Sequence, residues 1–208
     1  IYRMEKLLYG NYLLHEEQAP EGFVQDDDYY SFSIKEDGKT VTLETKSGQG
    51  FLNKPIRGNV EVQKTNSEDT KQLLTGAAFA VYTDANGNGK FDSDTDKLVG
   101  NLTETETGIY RMEKLLYGNY LLHEEQAPKG FVQDDSYYPF SITEDGKTVE
   151  IESQSNAGFT NQPIRGNVEV RKTNSEDTEQ LLTGAVFAVY ADSNGNGKFD
   201  ADTDKLVG

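Results

Sequence analysis

The strongest constraint on this chain is that it repeats itself. Ile1-Tyr2-Arg3-Met4-Glu5-Lys6 returns as Ile109-Tyr110-Arg111-Met112-Glu113-Lys114, a period of 108 residues, and 82 of the 100 positions in 1–100 match 109–208. That period is too long for a solenoid turn and suits one small domain per repeat. The repeats are cut out of phase. Residues 1–55 read as the C-terminal part of one repeat, 56–163 as a complete one, and 164–208 as the N-terminal part of the next. Only Asn101–Gly108 occurs once, and the array is expected to run on in both directions.

The local pattern within a repeat is β. Asn59–Thr65 alternates, with Val60 and Val62 on one face, while Ala77–Thr83, Gly118–Glu125, Tyr137–Ile142 and Thr148–Glu152 read as further strands. Glu144-Asp145-Gly146-Lys147 carries the Asp-Gly of a tight hairpin. No segment sustains helical periodicity, and Glu113–Leu116 or Asn66–Asp69 is long enough for a single turn only. About seven short strands per repeat, separated by Gly- and Asn-rich turns, imply an all-β antiparallel sandwich. The joints near Asn53-Lys54-Pro55-Ile56 and Asn161-Gln162-Pro163-Ile164 are short and carry proline, so neighbouring beads should be stiffly connected.

A net charge of −16 argues against nucleic acid, because phosphate binding needs a basic stripe and none is visible. The acidity keeps a long exposed array soluble and self-repelling. No apolar run approaches the length of a membrane span. Cysteine is absent, so a small exported domain of this kind needs either a sufficient core or a crosslink other than a disulfide.

Strand alternation then places three polar side chains on inward faces. Lys64 shares a face with Val60 and Val62, Glu124 with Tyr120 and Leu122, and Asn161 with Phe159. Burying any one alone is costly. The ordinary reading is a lysine that snorkels to water, with Glu and Asn as hydrogen-bonded core polar groups. The sharper reading is that they meet. Desolvation lowers a lysine pKa and raises that of a glutamate, so a buried pair can exist as neutral amine and neutral acid. A neutral amine is a nucleophile, and a protonated carboxyl can polarise the asparagine carbonyl and relay protons. Loss of ammonia would leave a side-chain amide, formed once per domain without turnover. Spacing alone does not bring the three together.

Gly58-Asn59-Val60-Glu61-Val62-Gln63-Lys64, Leu74-Thr75-Gly76-Ala77-Ala78-Phe79, Tyr120-Leu121-Leu122-His123-Glu124-Glu125-Gln126-Ala127-Pro128-Lys129-Gly130-Phe131 and Phe159-Thr160-Asn161-Gln162-Pro163 together resemble the CnaB family. These are the collagen-adhesin B-type domains of Gram-positive surface proteins and pilins, and the match spans the whole repeat. The resemblance implies tandem transthyretin-like, reverse-immunoglobulin sandwiches. It also implies a Lys–Asn isopeptide bond promoted by an acidic residue, with Lys64 as amine, Asn161 as acceptor and Glu124 as catalyst. In the partial repeats the counterparts are Glu16 and Asn53 at one end and Lys172 at the other. Complementation of these half-repeats between chains, or within a closed chain, would reunite them.

A second candidate site is an acidic, glycine-spaced loop. Asp84, Asn86, Asn88, Lys90 (through its carbonyl) and Asp92 occupy calcium-loop positions 1, 3, 5, 7 and 9, with Gly89 at 6. Thr95 stands where the bidentate glutamate belongs, leaving Asp94 or Asp96 to substitute. Asp192, Asn194, Asn196, Lys198, Asp200 and Asp204 repeat the pattern. Ordinary turn chemistry explains the same residues. Calcium is therefore an optional cofactor, and none is required. His15 and His123 occupy equivalent outward positions without metal partners, and the Tyr29-Tyr30 and Tyr137-Tyr138 pairs read as core and rim.

The leading expectation is a structural stalk or spacer repeat of an extracellular, cell-wall-anchored surface adhesin or pilin-like protein. Its partners would be neighbouring repeats of the same chain. The alternative is an adhesive module that binds a host protein or glycan, with or without calcium. A turnover enzyme lacks any visible open constellation.

Overall fold

The computed structural model describes residues 1–44, 50–153 and 158–208. The chain divides into two compact units, Ile1–Ile164 and Arg165–Gly208. No helix occurs among the described residues.

The first unit opens with a hairpin of β1 (Gly10–His15) and β2 (Tyr29–Ile34). The complete repeat follows as β3 (Arg57–Asn66), β4 (Asp69–Leu73), β5 (Ala78–Thr83), β6 (Leu98–Asn101), β7 (Thr103–Glu106), β8 (Ile109–Leu116), β9 (Gly118–Gln126), β10 (Tyr137–Ile142), β11 (Thr148–Ile151) and β12 (Phe159–Asn161). One sheet has the order β10-β9-β5-β6. The other has the order β11-β3-β8-β7, with β4 and β12 also paired to β3. Val60, Val62 and Tyr110 from the second sheet face Phe79, Val81, Tyr120, Leu122 and Phe140 from the first, and Phe159 closes one end. Phe79 meets Tyr110 and Phe159 edge-on, with ring centroids 5.2 and 5.1 Å apart.

The architecture is the expected all-β sandwich, with three differences. The strand count exceeds seven because the short β4, β6 and β7 are edge pieces with no alternation to announce them. The second sheet is mixed rather than antiparallel, since β11 and β12 both run parallel to β3. The Asp145-Gly146 turn is not a hairpin, because it carries the chain from β10 in one sheet to β11 in the other. Its carboxylate is held at both oxygens, by the Arg57 N–H at 3.0 Å and the Lys54 ammonium at 2.8 Å. The two single-turn helix candidates are also absent: Glu113–Leu116 lies within β8, and Asn66–Asp69 is the turn between β3 and β4.

The Lys54–Asp145 contact ties residues 1–55 to the complete repeat, and Tyr117 adds a hydrogen bond to Glu21 at 2.9 Å. The Ile56 N–H donates to Gly22 O, and Ile56 O accepts from the Tyr117 N–H. The joint is thus bridged by backbone as well as side chains.

Two glycines bring the strands around Lys64 close together. A Cβ on Gly158 (φ +81°) would lie 2.8 Å from Gln63 O, and one on Gly108 (φ +68°) would lie 2.9 Å from Leu73 Cβ. Both positions need the left-handed region and the missing side chain. The acidic loop 84–97 folds over the outer face of the four-stranded sheet, where Phe91 stacks on Tyr137 at 4.7 Å and 3°. Ala80 and Leu121, outward by alternation, are buried there.

The second unit holds β13 (Tyr190–Ala191) paired with β14 (Lys205–Leu206) and a single bridge between Thr173 and Leu181.

Phe79 touches both walls of the core at zero exposure. Phe79→Ala is expected to destabilise the repeat by about 3–5 kcal/mol in denaturant unfolding, because transfer and cavity terms add.

Candidate functional site

Lys64, Glu124 and Asn161 arrive from three strands. Lys64 is carried by β3 at the inward parity of Val60 and Val62, and its backbone is pinned on both sides. Its N–H donates to Gly108 O at 2.7 Å, and its carbonyl accepts from the Leu74 N–H at 2.9 Å. Parallel pairing sets Phe159 beside Lys64 and puts Asn161 beside Asn66. Glu124 comes from β9 in the opposite sheet, opposite Phe79.

The three side chains converge in the core. Lys64 Nζ lies 3.0 Å from Glu124 Oε1, with both side chains fully buried. Asn161 Nδ2 donates to Glu124 Oε2 at 2.8 Å, and Asn161 is only 3% exposed. The carboxylate therefore sits between amine and amide. Their hydrogen bonding is incomplete: Lys64 Nζ, Glu124 Oε1 and Asn161 Oδ1 all lack a well-aligned partner. Such groups are expensive to bury, and their cluster here is the strongest local departure from an apolar core. Around the ammonium, the Phe159 and Phe79 ring centroids stand 4.5 and 5.8 Å from Nζ.

Burial pushes the Lys64 amine down from 10.5 to about 8, against the upward pull of Glu124 and Asp134. A minor uncharged fraction, roughly a tenth at pH 7, follows from that value. Asp134, two strands' ends away in sequence, was not legible as part of the site. Its backbone N–H donates to Glu124 Oε2 at 3.0 Å, a contact with no side-chain signature. Burial pushes the Asp134 carboxyl up, but hydrogen bonds from Tyr138 and Ser136 and the Lys64 charge more than reverse this, leaving it lowered. Gln133 also holds Glu124, donating to its carbonyl at 2.9 Å.

One detail differs from the sequence expectation. Glu124 was expected to polarise the asparagine carbonyl, whereas its carboxylate holds the nitrogen end of the amide.

The half-repeats keep part of the same arrangement. Asn53 Nδ2 donates to Glu16 Oε2 at 2.6 Å, and the Asp26 N–H donates to the same oxygen at 2.9 Å. Both residues are half-buried. Lys172 belongs to the second unit and is exposed.

The acidic loop is closed by its own backbone. Asp84 accepts from the N–H groups of Asn88 and Gly89 at 3.1 and 2.9 Å, and Asp96 from those of Ala85 and Asp92 at 2.9 and 2.8 Å. Asn86 and Asn88 turn their amide nitrogens toward Asp92, and the Asn88 oxygen accepts from the Lys90 N–H. Backbone hydrogen bonds hold the Asp96 carboxyl below its usual range. In the second copy Asp192 accepts from Asn196 and Gly197, Asn194 from Asn196, Asn196 from Lys198, and Asp204 from Asp200. Among the described residues no three carboxylate or imidazole groups are grouped to hold a metal ion.

His123 stacks on Tyr137 at 4.3 Å, and Tyr82 meets Phe91 edge-on at 5.0 Å, so the outer face carries a half-buried aromatic cluster. Tyr138 turns inward onto Phe159.

A two-sheet sandwich with a buried Lys–Glu–Asn cluster across its layers defines a structural domain of prealbumin type. The family model for SpaA, the prealbumin-like fold domain, matches residues 1–49 and 58–157, and the chain belongs to this family. Among solved structures, the Bacillus anthracis TIE protein is similar at 26% identity and a TM-score of 0.61, over 76% of this chain and 26% of that one. GBS52, the minor pilin of Streptococcus agalactiae, matches at 22% identity and a TM-score of 0.40, over 76% and 66% of the two chains. BcpA, the major pilin subunit of Bacillus cereus, matches at 26% identity and a TM-score of 0.32, over 45% and 28%. This chain thus spans about a quarter of the Bacillus anthracis protein. No curated protein sequence matches it.

The lowered Lys64 amine has a consequence for stability. Between about pH 8 and the unfolded value of 10.5 the unfolded chain binds the extra proton, so stability rises with pH there. Denaturant unfolding of Asn161→Ala is expected to show this rise between about pH 8 and 9.5, before tyrosine ionisation intervenes, and Lys64→Met in the same background should abolish it.

Proposed function

We propose that each complete repeat is a spacer bead in the stalk of a pilin- or adhesin-like protein on a Gram-positive cell surface, locked by an amide between Lys64 and Asn161. The observation that carries this reading is the fully buried contact of Lys64 with one Glu124 oxygen while Asn161 holds the other.

The chemistry runs in order. The Lys64 ammonium gives a proton to Glu124, leaving a neutral amine and a neutral acid in an apolar cage. The amine attacks Asn161 Cγ, forming the Nζ–Cγ bond. Glu124 delivers its proton to Nδ2, which it already contacts, and takes one from Nζ. The Cγ–Nδ2 bond breaks and ammonia leaves. Glu124 ends protonated, so atoms and charge balance. No external substrate enters, and the reaction occurs once.

Intact mass of the purified chain is expected to fall by one ammonia, with tryptic mapping yielding a branched Lys64–Asn161 peptide. Glu124→Ala is expected to fold and keep the unmodified mass. An unmodified wild-type mass, or a branch that persists in Glu124→Ala, would overturn the chemistry or the catalytic role respectively.

A second reading, an adhesive module for a host protein or glycan, is favoured by the aromatic cluster of Tyr82, Phe91, His123 and Tyr137. Its rings stack on one another and are half-buried, which suits anchoring of the loop at least as well.

Calcium is carried as a separate proposal. The Asp84 carboxylate accepting from positions 5 and 6 of its loop supports it, whereas the amide nitrogens facing Asp92 oppose it. Loading would require the Asn86 and Asn88 amides to present oxygen. Calorimetric titration is expected to give a weak Kd, on the order of 10⁻⁴–10⁻³ M as in extracellular modules, abolished in the complete repeat by Asp84→Ala.

A further inference from the structure

We propose that Tyr138 is a positioning residue for amide formation, orienting Glu124 through Asp134 and seating Asn161 through Phe159. This role rests on the amide chemistry proposed above, to which Tyr138 contributes no reacting atom.

The sequence puts Tyr138 where it can do both. It is the first inward residue of β10, followed on the same face by Phe140 and Ile142, and it lies opposite Leu122 in β9. Glu124 follows Leu122 on that face two residues later. The Tyr138 hydroxyl reaches the connection between the two strands and donates to Asp134 Oδ2. The other Asp134 oxygen accepts from the Ser136 N–H at 2.9 Å. With its carboxylate held at both oxygens, Asp134 has its own N–H aimed at Glu124 Oε2, 3.0 Å away. That oxygen is the one that accepts from Asn161 Nδ2 at 2.8 Å. The phenol therefore acts on Glu124 at one remove.

The ring supplies the second half. It meets Phe159 edge-on, with centroids 4.9 Å apart and planes at 64°. Phe159 stands two residues before Asn161 on the same face of β12, a strand of only three residues. Its centroid is also 4.5 Å from Lys64 Nζ. Tyr138 thus touches both the brace of the carboxylate and the strand that carries the acceptor.

Packing alone leaves the hydroxyl without a reason. A phenylalanine would cover Phe159 as well, and what the tyrosine adds is a bond to the residue that grips Glu124. Burial and the Asp134 carboxylate push the phenol above its ordinary range, so it remains a donor where the Lys64 amine loses its proton. The same arrangement is built around Glu16. Tyr30 donates to Asp26 Oδ2 at 2.6 Å, the Asp28 N–H to Asp26 Oδ1 at 2.9 Å, and the Asp26 N–H to Glu16 Oε2 at 2.9 Å. Tyr30 also meets Phe51 edge-on at 4.7 Å. Ser136 and Asp28 differ in side chain, yet the contact persists because the main chain makes it.

The test follows ammonia loss in time. The 208-residue chain is made by cell-free synthesis with a labelled pulse, chased, quenched in denaturant at intervals and its intact mass recorded. A misplacement of about 1 Å costs on the order of a hundredfold in rate, so loosening one bond of the brace in Tyr138→Phe is expected to slow ammonia loss about tenfold. Asp134→Ala should slow it at least as much. Asp134→Asn, which keeps polar atoms for both Ser136 and Tyr138, should recover most of the rate lost in Asp134→Ala. Backbone amide spectra of Lys64→Met with and without Tyr138→Phe check the fold. Matching spectra place the slowing in the folded repeat, whereas loss of the folded spectrum gives Tyr138 a structural role and overturns the proposal. A wild-type rate in Tyr138→Phe overturns it too and leaves the chemistry standing. An otherwise unaltered chain that loses no ammonia overturns the chemistry, and the positioning role with it.

Discussion

Everything in the complete repeat is organised around a carboxylate held between an amine and an amide in an apolar interior. Isolated, each of these groups would make the core unstable. Together they oblige β3, β9 and β12 to meet in one arrangement, because a slip of one residue in any of them turns its polar group outward and an apolar neighbour with it. The cluster is thus a constraint on register across both layers. A hydrophobic cluster of the same volume would stabilise at least as well, since a buried ion pair returns little over its desolvation cost. What the polar version adds is this constraint on register, and the unmet hydrogen bonds at Nζ, Oε1 and Oδ1 are its local cost.

The glycines and the parallel pairing serve that meeting. β12 is only three residues long and could not hold its place by ladder hydrogen bonds alone. It is seated by Phe159, whose ring touches Phe79, Tyr138 and the Lys64 ammonium at once. Gly158 lets the chain approach β3 closely enough for that ring to enter. The Asp134 N–H then fixes the side of Glu124 that Asn161 uses, so the carboxylate cannot rotate freely between its neighbours.

Much of this was legible because alternation is a local property. Val60, Val62 and Lys64 declare one face, as do Tyr120, Leu122 and Glu124, and both strands extend within a few residues of where the pattern puts them. Strand direction was not legible. Nothing local in Thr148–Ile151 or Phe159–Asn161 states that they run parallel to β3, and the Asp-Gly signal ahead of the first is the same whether the turn closes a hairpin or crosses between sheets. Strand existence itself turns out to be non-local. Residues 57–66 are a strand and residues 165–174, nearly identical, are not, because the first have partners on both sides. The acidic loop carries a further lesson: its spacing matches a cation site, yet Phe91 within it stacks on Tyr137, on the face where Leu121 and Ala80, outward by alternation, are buried.

The topology also bears on why such a bead would be joined to others in a stalk. A pull along the chain arrives at Arg57, the start of β3, and departs beyond Asn161, the end of a strand parallel to β3. Two parallel strands pulled from opposite ends are loaded in shear, so their hydrogen bonds must fail together rather than one at a time. Three paired positions are still few. An amide from Lys64 to Asn161 would carry the load directly from β3 into β12, and the chain between residues 64 and 161, which includes nearly all of the core, would bear none of it. Unfolding under load would then require breaking a covalent bond, which converts a marginal fold into a kinetically protected one. A cysteine-free domain would gain in this way the service a disulfide renders elsewhere, at a position where the strand that most needs holding is also the shortest in its sheet.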